Sequence, residues 1–298
     1  MTKIKHNMVK NQHYVQKAYL RFFSRKSKDD YYIAVMDKNK DKPFMANIEN
    51  IASCKYFYEV NSKPENYWEE FYCKNIESSL PKIFNNIISA STISQNNATI
   101  LNTLLKKEMS QIIFSQIGRT RKAREFYDEI GNDIKTQIIN GIYKECDNIL
   151  SQQHKEILEA IRNDTDLIHD MELDAINSSS LLKKGTYYLM NRTWVIYKNL
   201  NYKKCPFITS DHPVAYYNFL NFKTDLKFNG IGLDSTIIQY PINRELLLVL
   251  YPREMYFGGL QKFDNKIVFI NKDEFVLKAD KLQYEQCYRQ AYFTIDEK

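Results

Sequence analysis

The sequence predicts an α+β fold, and three observations carry that prediction. Residues 31–36 alternate as a strand does before the polar turn "DKNKD". A helical period then runs from about residue 64 to 180, and β-prone runs return after 181. Read together, these form one α+β domain. Residues 1–60 give an N-terminal motif and hairpin, 64–180 a central helical bundle, and 181–298 strands and a C-terminal helix. The bundle packs on a mixed, partly antiparallel sheet built from both end segments.

Each element has its own signal. In "NYWEEFYCKNIESSLPKIF", Trp68, Tyr72, Ile76 and Leu80 recur at helical spacing and form the expected buried stripe. Residues 99–129 read as one long amphipathic helix through Leu101, Leu105, Met109 and Ile112, with Gly131 as its punctuation and more helix over 134–161. "NSSSLLKKGTYYL" opens on a Ser-rich turn, and β-prone runs follow at 186–197, 206–210, 235–241 and 246–251. Asn271, with Glu274 three residues later, predicts a capped last helix reaching about Gln290.

Composition narrows the function classes. With 8 Gly among 298 residues and neither GxGxxG nor Walker A, a phosphate-cradling glycine loop is absent from the reading. The five cysteines are odd in number and widely spaced, as expected of reduced thiols in a cytoplasmic protein. No apolar run approaches the ~18–20 residues that span a bilayer, and the opening residues lack a secretory h-region, so no membrane partner is expected. The net charge of +6 permits a nucleic-acid partner, and basic residues cluster at Lys3, Lys5, His6 and Lys10 and again in "GRTRKAREF". A solvated helix end explains the second cluster equally well. Protein partners and oligomeric state are not legible.

Four segments resemble a known family. "NQHYVQKAYLRFF" is similar to the H-Y-V-P-x-x-Y-L-x-x-F signature of the domain of unknown function (DUF) 4238 family. "WEEFYCKNIES" resembles its glutamate-bearing helix, "GRTRKAR" its R-T-P-x-x-R segment, and "CPFITSDHPVAYY" its F-I-T-S-D-x-P-V motif. Gln16 stands where that signature has proline, and Arg121 also departs from the pattern. The resemblance implies a cytosolic, largely microbial protein and names no substrate.

The residues themselves suggest chemistry. His13, one of five histidines, suits a general base or a buried pin. Glu70 and Glu77 lie two helical turns apart and can face one way, as can ordinary surface glutamates. Arg119 suits a phosphate oxygen or an internal carboxylate, and Asp211 a metal, a histidine or its own turn. The leading expectation is a phosphodiester hydrolase, a nuclease, with His13, Glu70, Glu77, Arg119 and Asp211 catalytic. Glu77 and Asp211 would hold Mg²⁺ or Mn²⁺, and Arg21, Arg121, Lys122, Arg124 and His212 would contact substrate. A toxin or phage-defence role is a setting that fits such an activity. The spacing of Arg162 and His169 also matches a metal-free ribonuclease pattern. Two alternatives stand beside the nuclease: a module binding nucleic acid or protein over a structural polar network, and a small-ligand sensor with a tyrosine-walled pocket between sheet and helices.

Overall fold

The structure, a computed structural model, describes residues 9–224, 229–253 and 255–295, so Lys3, Lys5 and His6 lie outside it. The fold is α+β. Strand β1 (Asn11–His13) leads into the short helix α1 (Lys17–Leu20), followed by β2 (Arg25–Ser27), β3 (Asp30–Asp37), β4 (Phe44–Asn47) and β5 (Ser53–Lys55). The alternation at 31–36 is the body of β3.

The helical middle is more divided than its apolar period predicts. Helices α2 (Tyr67–Tyr72) and α3 (Leu80–Ile93) flank a wide turn. The expected helix over 99–129 is two, α4 (Thr103–Gly118) and α5 (Arg121–Cys146), because the Thr120 hydroxyl accepts from the Ala123 N–H at 3.3 Å and starts a new helix. Gly131 does not punctuate α5. It lies inside the helix, where a Cβ would come within 2.5 Å of Ile168. Helices α6 (Gln152–Asn163), α7 (Leu167–Ile176) and α8 (Ser179–Met190) complete the bundle. Residues 186–190, expected as strand, finish α8. Ser178 caps that helix, and Gly185 lets it cross α4 against Phe114, so packing overrides the β preference of Tyr187 and Tyr188.

The expected sheet resolves into two. After α8 come β6 (Thr193–Asn199), β7 (Thr209–Ser210), β8 (Ala215–Asn218), β9 (Thr236–Pro241), β10 (Leu246–Tyr251), β11 (Lys266–Ile270), α9 (Asp273–Gln286) and β12 (Gln290–Phe293). One sheet, ordered β11-β6-β10-β9-β8, belongs wholly to the C-terminal segment and is antiparallel except where β11 lies beside β6. The other, β2-β3-β12-β7 with β4 also on β3, joins the two end segments. Strands β1 and β5 form a separate short ladder. Helix α9 begins behind Lys272 without a side-chain cap and stops at Gln286, because the residues near 290 pair with β3.

The N-terminal motif is fixed by burial. The Tyr19 ring stacks on Tyr240 at 5.2 Å, and its hydroxyl donates to the Pro241 carbonyl at 2.8 Å, which locks α1 against β9. Gln16, just before α1, is fully buried, and neither polar atom of its side-chain amide has a hydrogen-bond partner among the described residues. Its φ of −56° is already that of proline. Gln16→Pro is therefore expected to raise stability by about 1 kcal/mol, through removal of an unsatisfied amide and a stiffer unfolded chain. Urea denaturation reads this directly, and a lower midpoint for the variant would contradict it.

Candidate functional site

The glutamate-bearing helix shows how a local irregularity aims a side chain. Between α2 and α3, residues Cys73–Glu77 form a π turn, marked by the Ser78 N–H donating to the Cys73 carbonyl. Such a turn inserts one extra residue. It keeps Trp68, Tyr72, Ile76 and Leu80, spaced by four, on one buried face. The same insertion means that Glu69, eight residues before Glu77, shares its neighbourhood. Glu70 turns outward and pairs with Lys74 at 2.8 Å, both exposed. The expected Glu70/Glu77 pair is thus Glu69/Glu77.

Arg119, between α4 and α5, is the node at which the motifs meet. Its side chain is only 1% exposed. Nε donates to the Tyr58 hydroxyl at 2.9 Å, Nη1 to Glu77 Oε1 at 2.9 Å and Nη2 to the His13 carbonyl at 2.8 Å, while Tyr72 lies 4.2 Å from the guanidinium carbon. The Tyr58 hydroxyl donates in turn to the His13 carbonyl at 3.2 Å. Tyr58 had no place in the sequence-based site; its signal is the aromatic run "KYFYEV" that follows β5.

Two groups at this node have displaced proton affinities. His13 Nε2 lies 3.2 Å from the Ile48 carbonyl, so it carries the ring proton, and Nδ1 has no partner among the described residues. Burial lowers the His13 pKa despite that bond, which keeps the ring neutral. Burial pushes Glu69 the other way, up to about 7, and its Oε2 is buried without a partner among the described residues. Lys17 and Glu77 act electrostatically on both groups. Lys17 itself sits at the surface, 2.9 Å from Glu49.

Asp211 and His212 form a different arrangement. The Asp211 carboxylate, buried after β7, accepts from the backbone N–H groups of Tyr288, Arg289 and Gln290 at 2.7, 2.8 and 2.8 Å. Burial holds its pKa up at about 6 against those donors. His212 is buried, with Nδ1 2.7 Å from the Thr120 hydroxyl, and burial drops its pKa to about 3. The divalent ion expected between Glu77 and Asp211 finds no fit: one carboxylate is held by Arg119 and the other by three amides. Among the described residues, no group of three or more His, Cys, Asp or Glu is arranged to hold a metal.

The expected substrate contacts divide likewise. Arg21 is exposed and lies over the Tyr31 ring, and Arg121 is half-exposed over Tyr288. Lys122 donates to the Gln286 carbonyl, Arg124 donates to the Phe57 carbonyl, and His212 is buried, so these three serve the fold. Arg162 pairs with Glu159, whereas buried His169 meets the Phe57 carbonyl, so the two engage separate partners.

Arg119 joins the segments of His13 and Glu77, and Thr120 beside it meets His212 of the fourth. A family model described as "Protein of unknown function (DUF4238)" matches residues 11–297. The chain belongs to the DUF4238 family. No curated protein and no solved structure matches it. Among the described residues of this DUF4238 protein, no helix is long and apolar enough to cross a membrane.

Proposed function

We propose that this DUF4238 protein cleaves phosphodiesters and is a ribonuclease working by acid–base catalysis. One observation carries the reading: His13 and Glu69, a base made more acidic and an acid made more basic, share Lys17 and Glu77 as charged neighbours. A histidine kept unprotonated and a carboxyl kept protonated near neutral pH suit general base and general acid. His13 Nδ1 takes the proton of a ribose 2′-hydroxyl, O2′ attacks phosphorus, and the P–O5′ bond breaks as Glu69 protonates O5′. The products are a 2′,3′-cyclic phosphate and a 5′-hydroxyl. Lys17 can leave its weak surface pair with Glu49 to meet the phosphate. Arg119, saturated by the fold, is a positioning residue.

Labelled RNA should therefore be cut in EDTA as well as in Mg²⁺ or Mn²⁺, while single-stranded and duplex DNA, lacking the 2′-hydroxyl, stay intact. His13→Gln and Glu69→Gln should each slow cleavage by about 10²–10⁴-fold with the fold retained. The pH profile should be a bell. It rises as His13 loses its proton below pH 6.5 and falls as Glu69 loses its own near 7. RNA left intact under every condition would remove the reading.

The saturation of Arg119 supports a second reading, in which the network is a frame for a module that binds nucleic acid or protein. That reading predicts lower melting temperatures for the His13 and Glu69 variants and no cleavage by the parent chain.

A further inference from the structure

Helices α4, α5, α7 and α8, together with the β8–β9 face of the C-terminal sheet, line a cavity of about 330 Å³. Phe114, Phe126, Tyr127, Tyr188, Tyr216 and Ile238 form much of its wall. An apolar cavity so lined does not hold water well. Its volume lies at the lower end of small-molecule sites. The polar groups are few. Thr236 and Asn229 lie 3.5 Å from each other, whereas Lys184 stands exposed on the rim with neither ion pair nor hydrogen bond among the described residues. Tyr127, Ile176 and Leu181 also line a second apolar groove, of about 560 Å³, along α5 and α7.

We propose that this cavity binds an amphipathic organic anion, a medium-chain carboxylate, with its apolar chain inside and its carboxylate at Lys184. The aromatic and aliphatic walls remove the chain from water, and the groove continues the same surface beyond Leu181. Lys184, the one charged side chain lining the cavity among the described residues, supplies the preference for an anion over a neutral head group. The ribonuclease reading neither requires this site nor depends on it.

Calorimetric titration of the full chain with dodecanoate, decanoate, octanoate and dodecanol, each below its aggregation concentration, tests the assignment. Dodecanoate should bind one-to-one and raise the melting temperature, with affinity falling about fourfold for each methylene removed. Lys184→Ala should weaken dodecanoate by about tenfold and leave dodecanol unchanged. Leu181→Trp, at a partly exposed position on the cavity wall, should abolish binding of both with the ligand-free melting temperature retained. Ala123→Leu fills the same space if the tryptophan variant does not fold. No saturable binding, affinity independent of chain length, or a Lys184→Ala variant that binds dodecanoate as the parent does would each overturn the site.

Discussion

Arg119→Met is expected to destabilise the protein by about 3–5 kcal/mol, the range for breaking a buried ion pair from one side. Methionine fills part of the volume between Tyr58 and Tyr72 but donates nothing. It leaves the Glu77 carboxylate, the Tyr58 hydroxyl and the His13 carbonyl without the donor that joins them. Glu77 is 27% exposed and recovers some water; the His13 carbonyl and the Tyr58 hydroxyl, both buried, recover little. The melting temperature should fall by roughly 10 °C for a chain of this size. Arg119→Lys should recover only part of the loss, because an ammonium cannot present a planar fork to three acceptors. A double-mutant cycle with Glu77→Gln should give a coupling of about 1–3 kcal/mol. A methionine variant that melts with the parent would mean that the node contributes nothing to the fold.

Asp211→Asn is the second large effect, expected at about 2–4 kcal/mol. The carboxylate accepts three backbone N–H groups on its two oxygens. An amide keeps one acceptor and turns an NH₂ toward donors, so at least one N–H loses its partner against a like group. The damage should be local, since residues 288–290 lead into β12 and β12 holds both β3 and β7. Hydrogen exchange should show faster exchange at Tyr288, Arg289 and Gln290 than at the amides of β10. Unchanged protection at those three amides would contradict the assignment.

The fold class and the joining of both end segments were legible because they rest on long, repeated patterns. Strands β3, β9 and β10 fall where alternation and β-branched runs place them. Errors arose where one residue or one contact outweighs a pattern. Thr120 divides α4 from α5 by a hydroxyl hydrogen bond that apolar periodicity does not register. Tyr187 and Tyr188 carry strand preference but sit on a helix whose packing depends on Gly185. At the site, the convergence of His13, Glu77 and Arg119 follows the motif segments. The choice between Glu69 and Glu70 turns on the π turn, for which the only sequence signal is an apolar spacing of four held from Trp68 to Leu80. Asp211 differs again: its partners are backbone amides 77 to 79 residues away, and no side-chain motif encodes them.

The pairing of β12 with β3 also sets a clock. Gln290 reaches Asp37 across 253 residues of chain, so β3 leaves the ribosome long before the strand that covers its edge exists. At roughly 5–20 residues per second, that edge stays open for about 13–50 s. During this time the buried run Ile33, Ala34 and Val35 has β4 along one edge, while the other edge at residues 34–37 waits for β12, the condition in which nascent chains pair wrongly with one another. Expression yield should therefore depend on translation speed and on chaperone capacity more steeply than the stability of the finished protein would indicate.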